Sequence, residues 1–127
     1  MKIDIEELMV GDWVMIHEYP MIKEPRKVTK EHFVRSLCEF EAIPITEEFL
    51  LNNGFEFFSA KDVFLLFLRT EQCLLAYMNG YKALKIYKGK VGDDIYPISC
   101  EQVPIEYVHE LQHILKLGKI DIDIKID

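Results

Sequence analysis

The sequence has no long apolar run, no closely spaced cysteines and no excess of positive charge, and each absence excludes a class of protein. The most apolar stretch, 63–68, is far shorter than the roughly 20 residues that a helix needs to cross a membrane. The 3 cysteines form no C-x-x-C pair, which favours reduced thiols in the cytoplasm. The formal net charge of −7 repels phosphate, so the acidic total disfavours nucleic acid as a partner.

Targeting and nucleotide-binding signals are also missing. The first seven residues contain acids where a signal peptide would have an apolar stretch, so we expect no signal peptide. The 6 glycines form neither the P-loop spacing nor the dinucleotide-binding spacing. We therefore expect a cytoplasmic protein with no membrane contact.

The composition is that of a globular domain. Of the 127 residues, 50% are hydrophobic and 29% are charged, which is enough apolar material for a core. That length corresponds to one ordinary domain, so residues 1–127 are predicted to form a single domain.

Short strands dominate the predicted structure. The β-favouring segments are 12–18, 26–29, 32–37, 40–43, 55–58, 63–70, 73–78 and 81–88. Asn79-Gly80 predicts a hairpin with a type I′ turn. The segment 63–68 does not alternate, so we expect a helix or a partner subunit to cover both of its faces. The isoleucines of 120–126 do alternate, which is typical of a half-buried strand.

Two helices complete an α+β fold with a mostly antiparallel sheet. The first is predicted at about 46–53, where Thr46 can cap the amino end and Gly54 can end the helix. The second is predicted at about 104–117, because apolar residues recur there at helical spacing. The pattern L-x-V-G-D-x-V at 8–14 also resembles the first strand of SH3-like barrels, so such a barrel is an option for the N-terminal half.

One stretch matches a catalytic motif. His109, Glu110 and His113 form H-E-x-x-H, in which two histidines on one helix face bind zinc and the glutamate acts as general base. Val108, Leu111 and neighbouring aliphatic residues centre the opposite arc, so both imidazoles are predicted to face water. Few residues remain downstream to supply a third ligand. We therefore predict neither a catalytic residue nor a metal here, with a zinc-dependent hydrolase as the alternative.

Two basic segments offer a second alternative. Arg26 and Lys27 lie in the first, and Lys82, Lys85 and Lys88 follow Tyr81 and flank Tyr87 in the second. Basic and aromatic side chains on strands can bind single-stranded nucleic acid. Solvated lysines on strand faces are the simpler interpretation, because the total charge is acidic.

Three segments together resemble a known family. They are ELMVGDWV at 7–14, IPITEEFLL at 43–51 followed by GF at 54–55, and YVHELQ at 107–112. The chain resembles a family of small uncharacterised proteins of Bacteroides and related gut bacteria, often encoded near phage-like or mobile DNA. The resemblance implies a cytoplasmic single-domain protein and supplies no catalytic residues. Family members typically have Gln and Asn at positions 110 and 113, which implies that the zinc motif is coincidental.

The sequence therefore predicts a non-enzymatic accessory or protein-interaction domain without a cofactor. Its apolar strands exceed what two short helices cover, and an uncovered apolar strand attracts another chain. A protein partner or self-association is the expected interaction.

Overall fold

The computed structural model describes residues 2–18, 23–33, 38–59, 61–68, 73–88 and 99–126. The strands are β1 (Lys2–Ile3), β2 (Trp13–Glu18), β3 (Glu24–Lys27), β4 (Cys38–Glu41), β5 (Glu56–Phe58), β6 (Val63–Leu68), β7 (Cys73–Met78), β8 (Ala83–Lys88) and β9 (Ser99–Pro104). The α-helices are α1 (Glu47–Asn52) and α2 (Val108–Leu117).

The chain divides into two compact units. Unit 1 consists of Met1–Ile45 together with Tyr107–Ile126, and unit 2 consists of Thr46–Glu106, to which Asp127 is also assigned. Unit 1 is therefore built from two separate parts of the chain. The prediction of one domain over 1–127 stays a prediction.

Unit 1 is a four-stranded antiparallel sheet in the order β1-β4-β2-β3, with α2 against β2. Alternate residues of β2 and β4 point inward and are buried, among them Val14, Ile16 and Phe40. From α2, Val108 and Leu111 are at most 1% exposed. The apolar core of the sheet also includes Ile3, Leu8, Val28 and Ala42, and Tyr107, directly before α2, packs against it.

Polar contacts join α2 to the turn before β2. The side-chain amide of Gln112 donates to the carbonyl of Gly11 at 3.0 Å, and its oxygen accepts from the amide of Trp13 at 2.7 Å. Asp12 between them is 3% exposed, accepts from the Met9 amide at 2.8 Å and contacts the His113 ring. Buried polar groups need such partners, so this turn and this helix position each other.

The C-terminal isoleucines are buried as predicted, but the predicted strand is wrong. Ile120 and Ile124 are 4% and 5% exposed, which follows the alternation of the sequence. The segment 119–126 nevertheless belongs to no strand. The indole of Trp13 donates to the carbonyl of Ile124 at 2.9 Å. A side chain therefore binds this segment, whereas a strand would be bound by backbone hydrogen bonds to its neighbour.

Unit 2 is a meander of five antiparallel strands in the order β5-β6-β7-β8-β9. Helix α1 precedes it and contacts β5. The hydroxyl of Thr46 accepts from the Phe49 amide at 3.1 Å, which is the predicted N-cap. Gly54 follows the helix with φ +91°, a conformation that side chains other than glycine rarely adopt.

The hairpin between β7 and β8 is confirmed, but its turn is not type I′. Met78 pairs with Ala83, so four residues form the connection, and the amide of Tyr81 donates to the carbonyl of Met78 at 3.2 Å. Positive φ occurs at Lys82 and at neither Asn79 nor Gly80. The left-handed residue Lys82 follows the turn and brings the two strands back into register. In a two-residue turn, Asn79 and Gly80 would do this alone.

Other predicted elements are displaced, among them the strands predicted at 26–29 and 40–43, which lie at Glu24–Lys27 and Cys38–Glu41. His32, expected on a strand over 32–37, lies in a 3₁₀ turn at Lys30–Phe33, and residues 34–37 lie outside the described part. The His32 Nδ1 atom accepts from the Thr29 amide at 2.9 Å, and this local bond stabilises a turn instead of a strand. Helix α2 begins four residues later than predicted, because β9 runs through Pro104.

The predicted α+β class with mostly antiparallel strands and two helices is confirmed. Within the described ranges both sheets are open, so the SH3-like barrel is not confirmed. No helix among the described residues is long and apolar enough to cross a membrane.

The Gln112 contacts yield a stability prediction. Replacing Gln112 by Ala leaves the Gly11 carbonyl and the Trp13 amide without these partners, so we expect a loss of about 1–3 kcal/mol of unfolding free energy. Urea unfolding followed by circular dichroism measures it. The matched control is Gln102→Ala on β9, whose exposed side chain should contribute less than about 0.5 kcal/mol. Equal unfolding midpoints for the two variants would contradict the prediction.

Candidate functional site

The HELQH residues have structural contacts in unit 1. The Glu110 carboxylate accepts from the backbone amide of Tyr107 at 3.0 Å, so it caps the amino end of its own helix. That end attracts negative charge through the helix dipole. A glutamate in this position stabilises α2, and the role of general base would require it to leave its cap.

The prediction that both imidazoles face water is wrong for His109. This residue is 5% exposed, its ring stacks on Tyr107, and its Nδ1 atom is buried without a hydrogen bond to any described residue. The buried arc of α2 is wider than its aliphatic residues indicate, since it extends from Leu111 and Leu115 through Val108 to His109. Burial, followed by the nearby His113 charge, lowers the pKa of His109 below its usual value.

His113 is partly exposed and directed at a carboxylate. Its Nε2 atom lies 2.5 Å from Oδ2 of the buried Asp12, while its ring meets that of His109 edge to face at 5.7 Å between centroids. In the described part of the chain, these two histidines do not form a group of three possible ligand atoms close enough for one metal ion. The zinc-hydrolase alternative gains no support from this arrangement.

The basic residues are matched by acids. Arg26 contacts Glu18 at 3.3 Å, and Lys82 contacts Glu106 at 3.0 Å. Lys27 lies 3.8 Å from an Asp123 oxygen and 5.5 Å from the centre of the Trp13 ring.

Lys85 lies among apolar side chains on β8, and the side chain of Lys88 is outside the described part. The nucleic-acid alternative requires a continuous basic strand face. The matched charges do not support such a face.

A group that the sequence analysis missed does bring three possible metal ligands together. Glu18, His32 and Cys38 in unit 1 each offer one ligand atom, and these atoms all lie within 4.8 Å of one another. A signal was present in the sequence: Val14 and Ile16 face the core, and the next residue on that side of β2 is Glu18. A carboxylate at an inward position breaks the apolar alternation, as functional residues often do.

One side of the unit 2 sheet carries an exposed apolar surface. The side that includes Phe64, Leu75 and Leu84 is at most 1% exposed at those residues. The other side, here called the open face, carries Phe58, Val63, Leu65, Phe67, Leu74 and Met78. Phe58 and Phe67 are 53% and 50% exposed, so the chain itself leaves this face of β6 uncovered, and its cover by a partner subunit stays a prediction.

The open face forms a broad groove of about 740 Å³ near the turns that join β5 to β6 and β7 to β8. Tyr81, at 79% exposure, and Lys61 stand at its rim. Its lining is mostly aliphatic and aromatic, and histidines and cysteines are absent from the lining residues that the structure describes. An apolar surface of this kind is suited to binding another molecule.

Comparison of the chain with protein-family models, with curated proteins and with solved structures finds no match. The candidate sites are therefore interpreted from their geometry.

The buried His109 yields a pH prediction. Its folded pKa lies below the unfolded value of about 6.5, so the unfolded state binds more protons and the free energy of unfolding decreases as the pH falls from that value toward the folded pKa. In His109→Leu this loss should be smaller between roughly pH 7.5 and pH 5.5.

Urea midpoints at the two pH values test this expectation. Leu111→Ala is the control, because it weakens the same helix contact without removing a titrating group. It should lower both midpoints and keep the wild-type difference between them. If His109→Leu kept the wild-type difference between the two urea midpoints, His109 would not be the source of the pH dependence.

Proposed function

We propose that this chain is a small non-enzymatic interaction domain that pairs with a second copy of itself through the open face of unit 2. The observation that carries the proposal is the exposure of Phe58 and Phe67 beside Leu65 and Leu74 on one continuous sheet surface. Contiguous apolar surface of this kind marks an interaction site in a soluble protein. The phage or mobile-element setting implied by the family resemblance remains a prediction.

Burial of this surface would be favourable. Transfer of a large apolar side chain from water to a packed interface contributes about 1.5–3 kcal/mol for full burial, and less for side chains that are already half-covered. Several such side chains lie within one strand spacing of each other, because paired strands are about 4.8 Å apart. Two sheets can pack face to face at about 10 Å with their side chains interdigitated.

The charges on the open face favour a second copy over an unrelated partner. Glu56, Leu65, Ala76 and Lys85 occupy one row across β5, β6, β7 and β8. An acid and a base thus stand three strands apart, roughly 14 Å, with apolar residues between them. A twofold axis parallel to the strands and centred on this row would bring Glu56 of each copy opposite Lys85 of its partner, as an isologous dimer requires.

The two alternatives lack comparable support. A zinc hydrolase at His109 and His113 would need Glu110 as a base, and that carboxylate caps α2. A nucleic-acid binder would need unmatched cations, whereas Arg26 and Lys82 are paired with carboxylates.

The proposal predicts a dimer that depends on both charge and apolar contact. Each charge reversal, Glu56→Lys or Lys85→Glu, should raise the dimer dissociation constant about 2- to 30-fold, because two exposed ion pairs of about 0.2–1 kcal/mol each are lost. The double reversal should restore wild-type affinity. Leu65→Glu should give a monomer. Sedimentation equilibrium and light scattering measure these constants.

Leu51→Glu is the matched control, since Leu51 is 53% exposed on α1 and does not line the groove of the open face. It should dimerise like the wild type. A wild-type chain that stays monomeric up to roughly 1 mM would overturn the proposal. A dimer that survives Leu65→Glu, or a double reversal weaker than both single reversals, would do the same.

A further inference from the structure

The geometry at one end of the unit 1 core points to a metal site, and we propose that Glu18, His32 and Cys38 bind a divalent transition metal of the zinc class. This site is separate from the HELQH motif and independent of the proposed dimer. Its three donors come from β2, from the 3₁₀ turn at Lys30–Phe33 and from β4.

Strand pairing brings two of the ligands together. Glu18 and Cys38 are directly opposite each other where β2 pairs with β4. Side chains of opposite residues in an antiparallel pair lie on the same side of the sheet, with Cβ atoms about 4.5–5.5 Å apart. A carboxylate oxygen and a thiol sulfur in this position can reach one ion without a change in the backbone.

The third ligand is held in place by packing. His32 is 7% exposed, and its ring meets Phe40 edge to face at 5.9 Å between centroids. Its ligand atom lies within 4.8 Å of those of Glu18 and Cys38. The backbone of the sheet and of the turn therefore already brings the three donors close together.

The position of the group is unusual for a structural core. Glu18 and Cys38 continue the inward-facing rows that contain Ile16 and Phe40, which are 0% and 5% exposed. An acid, a thiol and an imidazole thus meet at the end of an apolar core, with three possible ligand atoms within 4.8 Å of one another. Glu18 and Cys38 are only half-buried, so they also leave an entry path for an ion.

The donor set indicates the metal. Thiolate and imidazole prefer zinc and the later first-row metals, whereas magnesium and calcium prefer oxygen ligands alone. Thiolate and carboxylate together carry two negative charges, which match a divalent cation. Arg26 contacts Glu18 at 3.3 Å and adds one positive charge nearby, so it should moderate the affinity.

Thr29 completes the site as a positioning residue. Its amide donates to His32 Nδ1 at 2.9 Å, and its hydroxyl oxygen lies 3.2 Å from the same nitrogen. Because Nδ1 accepts from the amide, a neutral ring carries its proton on Nε2, and a metal at Nε2 requires that proton to move to Nδ1, where the Thr29 hydroxyl can accept it. Metal binding should therefore exchange the amide bond for a bond to the hydroxyl.

Zinc titration of the whole chain against a chromophoric chelator tests the proposal. We expect one zinc ion per chain in the wild type and its loss in Cys38→Ser. The control Cys73→Ser alters a cysteine in unit 2 and should keep the ion. Cobalt in place of zinc should show thiolate-to-metal charge-transfer absorption that Cys38→Ser removes, and that readout requires a bound sulfur.

Two further variants test the role of Thr29 and distinguish this site from the HELQH motif. Thr29→Val should weaken zinc binding about 10- to 100-fold without abolishing it, as expected for a partner of a ligand. His113→Gln keeps a donor for Asp12 and should retain the zinc. Fluorescence of Trp13, the single tryptophan and a residue of unit 1, reports whether each variant still folds.

Absence of stoichiometric zinc binding by the folded wild type would overturn the proposal. Retention of zinc and of the charge-transfer band in folded Cys38→Ser would also overturn it. So would loss of zinc in folded His113→Gln, which would place the ion at the HELQH motif instead.

Discussion

The buried carboxylate of Asp12 is the constraint on which unit 1 depends. At 3% exposure it cannot be solvated, so it must keep the Met9 amide and the His113 ring as partners. Gln112 satisfies the backbone on both sides of it, at Gly11 and Trp13. The HELQH residues therefore lie among hydrogen bonds and polar contacts that connect the turn before β2 to helix α2.

Local signals explain what the sequence predicted well. Thr46 and Gly54 mark the two ends of α1 because capping depends on a few adjacent residues. Strands β5 to β8 of unit 2 follow their apolar and aromatic segments closely, whereas β9 was not predicted. The α2 interface was harder, because His109 is buried by partners that a helical pattern does not contain, and Gln112 faces inward to bond a turn 99 to 101 residues away.

The candidate sites needed information that no single segment holds. Lack of alternation over 63–68 correctly marked an unusual strand, yet only the folded sheet shows that one face is buried and the other open. Glu18, His32 and Cys38 are joined by strand register and by a 3₁₀ turn that was predicted as a strand. The sequence could indicate Glu18, because a carboxylate at an inward position breaks the apolar alternation of β2. It could not indicate that His32 and Cys38 lie beside it.

The discontinuity of unit 1 sets an order of assembly during synthesis. Strands β1 to β4 leave the ribosome long before α2, because the whole of Thr46–Glu106 is translated between them. Until Gln112 emerges, the nascent N-terminal sheet lacks the side chain that satisfies the Gly11 carbonyl and the Trp13 amide. Unit 2, which is essentially continuous in sequence, can complete its meander first and bring the two parts of unit 1 within reach of each other.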